Sequence, residues 1–238
     1  MQLSITDTAM ALTLPGLVSA SVCGLIIAAS RDVPRLSGRL DDTEAVQASH
    51  GRLTPRVGGL GVFAGLCFGL WFYGQSAGFH DAISWFKVLL GPVFLTVVAL
   101  LEDLGFRIRA SGRLLATFAA SLIMGLSLDM WLTRLGLGYL DTYLSAAWLA
   151  IPITLFVTAA LAHGFNLIDG LNGLSSGAGV MSALSCGFIA MQVNAHEVAI
   201  VSFILAASII GFLLFNFPFG WIFLGDTGAY IVGFTAAW

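Results

Sequence analysis

The chain has 238 residues, 58% of them hydrophobic and only 10% charged, with a mean hydropathy of +0.94. Soluble domains carry about 25% charged residues, so this chain lacks the charge to coat a water-facing surface, and lipid must replace much of the water. The formal net charge of −3 decides little, because placement matters more than balance. Nucleic acid is not an expected partner.

A membrane-spanning helix needs about 20 mostly apolar residues. The first such run covers 11–30. It is not a secretory leader, because no basic region precedes it: the first charge is Asp7, and Arg31, Arg35 and Arg39 follow the run. Residues 31–56 hold Arg, Asp, Ser and Gly, with His50 among them, and read as an exposed loop. The second span, 57–73, carries Gly61, Gly65 and Gly69 at four-residue spacing, which predicts close helix packing through small residues. Further spans are expected at 85–101, 113–130, 146–163, 176–194 and 198–215. An eighth begins near 229 and meets Trp238 too early to cross, so the natural protein is expected to continue. The fold class is therefore all-α, a polytopic transmembrane helical bundle of about seven full spans plus a truncated eighth, forming one unit over 1–238. Cys23, Cys67 and Cys186 fall in apolar runs without metal-ligand spacing and are expected to be packing residues.

Orientation follows from basic residues, which favour the cytoplasmic side. Five of the ten Lys and Arg residues lie between the first two spans, at Arg31, Arg35, Arg39, Arg52 and Arg56. Arg107, Arg109 and Arg113 follow the third. Only Lys87 and Arg134 fall near the opposite face. This places the N-terminus outside and the segments 102–112, 164–175 and 216–228 in the cytoplasm.

An ionisable group inside a span usually marks an ion or proton pathway. The expected spans have none near their middles, which counts against a transporter or flippase for a lipid-linked or anionic solute. The polar equipment lies at one face instead. It comprises Leu101-Glu102-Asp103-Leu104-Gly105, the segment from Asn166 through Asp169, Gly170 and Asn172 to Gly173, and the segment from Asn216 through Gly225 and Asp226 to Gly228. Each sets a carboxylate beside glycine at a helix end. Asp-Gly pairs are also ordinary turn residues, but three on one face of a charge-poor chain point to a metal–phosphate site. Mg²⁺ takes oxygen ligands from one or two carboxylates plus substrate phosphates. Glycine lets the backbone approach a bulky anion, and helix N-termini favour phosphate. Arg56 could meet phosphate or simply anchor the loop. Of the histidines, His80 and His196 are expected on the outer face, and only His163 lies close to a candidate segment.

At these segments the sequence resembles the polyprenyl-phosphate N-acetylhexosamine-1-phosphate transferases, glycosyltransferase family 4. The resemblance rests on TPRVGGLGVF at 54–63, EDLG at 102–105, FNLIDGLNGLSSG at 165–177 and NFPFGWIFLGDTGAYIVGF at 216–234. It implies transfer of a sugar-1-phosphate from a UDP-sugar to a polyprenyl phosphate, with release of UMP and a requirement for Mg²⁺, for which Mn²⁺ can substitute. Such a product starts a cell-envelope polysaccharide. The implied setting is the bacterial inner membrane, with the site on the cytoplasmic face and a fold of about ten or eleven spans. A homodimer stays open. The Arg56 form of the first motif resembles the branch using UDP-N-acetylhexosamines rather than the peptidoglycan pentapeptide branch, which usually has Thr-Met at Arg56-Val57.

Two positions depart from the family pattern. Glu102 stands where Asp is usual, and Asn172 where Asp is frequent. The family's His-rich cytoplasmic loop would lie beyond Trp238, and an enzyme lacking it is expected to be inactive. The resemblance makes Asp226 and Asp169 the metal-binding candidates. Asp103, Glu102 and Asp169 are the catalytic candidates, with Asp103 as base, orienting group or nucleophile toward the acceptor phosphate. Asn166, Asn172, Gly170, Arg56 and Asn216 are assigned to substrate. Glu102 and Asn172 keep an inactive family member in view as an alternative.

Overall fold

The computed structural model describes residues 5–30, 54–76 and 82–238. Arg31, Arg35, Arg39, Arg52, His50 and His80 lie outside the described residues. Among those described, every regular element is a helix: α1 (Ile5–Ala29), α2 (Gly59–Ser76), α3 (Ala82–Asp103), α4 (Ala110–Leu128), α5 (Tyr139–Leu144), α6 (Ala147–Ile168), α7 (Leu174–Gln192), α8 (His196–Asn216) and α9 (Gly225–Ala237). Five stretches are long and apolar enough to cross a membrane: Trp85–Asp103, Ala110–Leu128, Ala147–Ile168, Leu174–Gln192 and His196–Asn216. Thr13–Ala29 and Gly59–Gln75 are apolar but shorter.

Helix α8 is the spine. It is apolar all round and mostly buried, with Ile210 and Leu214 left facing outward, and it packs against α1, α2 and α7. Ile204, Leu205, Ile209 and Phe212 are fully enclosed. Small residues bring the backbones together. A methyl group at Gly211 would strike the Gly16 carbonyl, and one at Gly65 would lie 2.6 Å from the Pro15 carbonyl and 2.7 Å from Ser208 Oγ. Gly61 and Gly69 are equally blocked, by Cys23 and by Ile204 and Pro15. The glycine ladder of the second span is thus a packing face set between α1 and α8. A second core joins α3, α4, α6 and α9 around Leu95, Ala120, Met124, Ala162, Tyr230 and Phe234. Large apolar side chains such as Leu17, Trp71, Leu115, Phe156, Met181 and Leu214 point outward. A bundle whose outside is this apolar suits a lipid surround.

Three sequence expectations change. The segment 164–175, expected to be a loop throughout, begins as helix: α6 runs to Ile168, because nothing breaks it before Asp169-Gly170. Asn166 therefore stands on the last turn of a helix. The third span likewise reaches Asp103. Of the three cysteines, Cys23 is buried, but Cys186 is exposed on α7 and packs no core.

Candidate active site

The ends of α3, α6 and α8 and the starts of α2, α4, α7 and α9 gather at one end of the bundle. A short backbone pairing organises them. The N–H of Phe223 donates to the Pro55 carbonyl at 2.8 Å, Gly58 N–H to Phe223 O at 2.9 Å, and Gly59 N–H to Leu224 O at 2.8 Å. This ties the segment before α2 to the segment before α9. Gly59 lies directly against the backbone of Gly228, and no side chain fits between them. Gly225 adopts φ +74° with its Cα against the Arg56 carbonyl and Asp103. Glycine is required there twice over, for conformation and for space.

Helix α9 has no cap from its own chain neighbours. Asp103, 123 residues earlier, supplies it: Asp226 N–H donates to Asp103 Oδ1 at 2.9 Å, and Thr227 N–H to Asp103 Oδ2 at 3.0 Å. A carboxylate accepting the first N–H groups of a helix satisfies orphan donors and meets the positive end of the helix dipole. The Asp226 side chain accepts a hydrogen bond from Asn166 Nδ2 on Oδ1 at 2.7 Å. Its Oδ2 faces Arg113 Nη1 at 3.9 Å, and the same nitrogen pairs with Glu102 Oε1 at 2.9 Å. Glu102 thus uses its longer side chain to reach the first turn of α4. Its other oxygen, Oε2, is buried without a partner among the described residues.

Asp169 ends α6 at its C-cap. Burial pushes its carboxyl up to about 7, and the negative charges of Asp226 and Asp103 add to this against the opposing pull of Arg56. Sequence-distant carboxylates are therefore close enough to repel one another, and a cation would relieve the crowding. Among the described residues, no three His, Cys, Asp or Glu side chains converge tightly enough to hold a metal by themselves. The oxygen donors suit Mg²⁺, which needs only one or two carboxylates when phosphates complete its shell.

The remaining expected residues divide. Gly170 is exposed, and a Cβ there would meet nothing within 4 Å, so the backbone presents an open face. Asn172 lies partly exposed in the same turn. Arg56 is exposed beside the α2–α9 junction. Asn216 is buried and structural: its Oδ1 accepts from Gly173 N–H at 2.8 Å and its Nδ2 donates to the Ile222 carbonyl at 2.9 Å. Both ends of its amide bond backbone, which pins the loops flanking the site.

Sequence reasoning missed Arg113. It was counted as a topology-setting charge, yet it bridges Glu102 and Asp226 across α3, α4 and α9. Its place in the first turn of a span, facing the EDLG segment, was the available signal.

The described residues thus form an all-helical, lipid-suited bundle with carboxylates, an amide and an arginine gathered at one end. The sequence profile described as Glycosyl transferase family 4 matches residues 85–238, and the chain belongs to that family. It is 30% identical over 207 residues to an undecaprenyl-phosphate alpha-N-acetylglucosaminyl 1-phosphate transferase of Yersinia pestis, covering 84% of this chain and 54% of that protein. It is 26% identical over 189 residues to a probable undecaprenyl-phosphate N-acetylglucosaminyl 1-phosphate transferase of Bacillus subtilis, covering 78% and 50%. A putative UDP-N-acetylglucosamine–dolichyl-phosphate N-acetylglucosaminephosphotransferase of Sulfolobus acidocaldarius is 30% identical over 187 residues, covering 75% and 56%. The chain spans about half the length of the curated relatives it matches.

Proposed function

We propose that this protein transfers a sugar-1-phosphate, an N-acetylhexosamine-1-phosphate, from a UDP-sugar to a polyprenyl phosphate in the membrane, releasing UMP. The observation that carries the reading is the convergence of Glu102, Asp103, Arg113, Asn166 and Asp226 from four helices onto one end of a lipid-suited bundle. The names of its relatives supply the substrate class. The charge-poor centres of the described spans support an enzyme over a transporter, since their Asp, Glu, Lys and Arg residues lie near helix ends.

Phosphoryl transfer demands alignment and charge neutralisation more than covalent help. Asp226 and Asp169 would hold Mg²⁺ or Mn²⁺, which supplies screening between two anionic substrates. Asn166 fixes the Asp226 carboxylate. Arg113 offers a cation to phosphate oxygens, and Arg56 a second at the rim. The open backbone at Gly170 and the amide of Asn172 face the nucleotide side. Asp103 caps α9, and the acceptor phosphate, already anionic near neutral pH, attacks the β-phosphorus without needing a strong base. The prenyl tail stays in the bilayer while its phosphate lies at headgroup level. The basic residues near this end support a cytoplasmic site, with the N-terminus outside and seven full spans preceding α9.

The test is UMP release by membranes holding the full-length protein, given polyprenyl phosphate and a panel of UDP-sugars. Release that needs the acceptor, a divalent metal and Asp226 supports the reading. Release without acceptor, or undiminished in Asp226→Asn, contradicts it.

A further inference from the structure

Beneath the polar cluster lies a second polar layer. Thr117 stands one helical turn after Arg113 on α4, His163 one turn before Asn166 on α6, and Tyr230 one turn after Asp226 on α9. Residues three or four apart share a helix face, and all three steps run away from the site end into the bundle. The lower layer therefore repeats the upper one on the same three helices, at one turn's depth.

The three side chains are joined. His163 Nε2 lies 3.4 Å from Thr117 Oγ1, and His163 Nδ1 lies 3.1 Å from the Tyr230 hydroxyl. The Thr117 hydroxyl hydrogen is already donated to the Leu114 carbonyl at 2.8 Å. Thr117 can then only accept from His163, so Nε2 carries the proton and Nδ1 accepts from Tyr230. The His163 and Tyr230 rings also meet edge to face, 5.0 Å between centroids and 84° apart. Glu102 and Arg113 of the upper layer share one small cavity with Thr117 and Tyr230 of the lower. At about 10 Å³ it holds no more than a water. The lower layer therefore meets the upper one directly, through Thr117 and Tyr230.

We propose that His163 is a positioning residue: clamped between Thr117 and Tyr230, it fixes α4, α6 and α9 so that Asn166, Asp226 and Arg113 keep their mutual geometry. The kinetic part of this inference rests on the sugar-1-phosphate transferase reading; the structural part does not. Removing a supporting hydrogen bond behind a metal-holding or catalytic side chain costs about 10- to 100-fold in affinity or activity.

The experiment takes His163→Leu, Tyr230→Phe, the double variant and His163→Gln in the full-length protein. His163→Leu and Tyr230→Phe are each expected to lower kcat about 10-fold and raise the Mg²⁺ needed for half activation, with KM for the UDP-sugar unchanged. The double variant is expected to be no worse than His163→Leu alone, because that change already breaks the His163–Tyr230 link. Glutamine, which offers an acceptor and a donor, is expected to restore part of the loss. Losses that multiply, or an unchanged Mg²⁺ response, overturn the proposal. A second arm reads hydrogen exchange at the amides of Asp226 and Thr227 and needs no turnover. Faster exchange in His163→Leu supports the brace even if the wild type releases no UMP, whereas unchanged exchange overturns it.

Discussion

Asp103 shows how one residue's surroundings add a role. The resemblance makes it a base, orienting group or nucleophile; the fold also makes it a cap, each oxygen accepting from an N–H of Asp226 or Thr227. Asp103→Ala should cost on the order of 2 kcal/mol of stability, the worth of a lost helix cap with charged hydrogen bonds. Denaturation of the purified protein in detergent measures this, and a stability equal to wild type would deny the capping role. Asp169 makes a different prediction. Its carboxyl is raised from the ordinary 3.8 to about 7, so the folded state holds the proton more tightly than the unfolded one. The stabilisation is fully present below about 3.8 and is lost as pH rises through about 7. In metal-free protein the thermal midpoint should carry a component that falls across that window, and Asp169→Asn should remove it. An identical pH dependence in that variant would count against the burial of Asp169 and its crowding by Asp226 and Asp103.

Between elements, the decisive contacts are backbone on backbone. The pairing of Pro55, Gly58 and Gly59 with Phe223 and Leu224 joins two motifs far apart in the chain, and Gly225 fits only because it lacks a side chain. Gly225→Ala forces a left-handed conformation on alanine and a methyl group into the Arg56 carbonyl. A loss of more than about 2 kcal/mol is expected, with transferase activity falling alongside. Gly170→Ala is the contrast, since its surroundings are open. Stability should stay within about 0.5 kcal/mol, and any rise in KM for the UDP-sugar would then report nucleotide passing over that backbone. A Gly225→Ala protein as stable as wild type would refute the junction described here.

At the scale of the molecule, the apolar runs made the helical bundle legible, and the Gly61, Gly65 and Gly69 ladder announced its packing face. Glu102, Asp103, Asn166, Asp169 and Asp226 were legible because carboxylate and amide in a charge-poor chain need a reason. What the sequence hid is contact between helices. Arg113 looks like any basic residue at a span end until α4 is set beside α3 and α9. Tyr230 and Thr117 look like span residues until His163 lies between them. The bonds of Asn216 to the Gly173 and Ile222 backbone are equally invisible in the sequence. Helix periodicity says which face a residue occupies, not which face it meets.

The central claim is that this end of the bundle transfers a sugar-1-phosphate onto a lipid phosphate. Mass analysis of the lipid fraction, after incubation of membranes with polyprenyl phosphate, UDP-N-acetylhexosamine and Mg²⁺, tests it most directly. A polyprenyl-diphosphate sugar should form one-for-one with UMP and be absent in folded Asp226→Asn protein. A folded wild-type protein that leaves the lipid unchanged with every donor would contradict it.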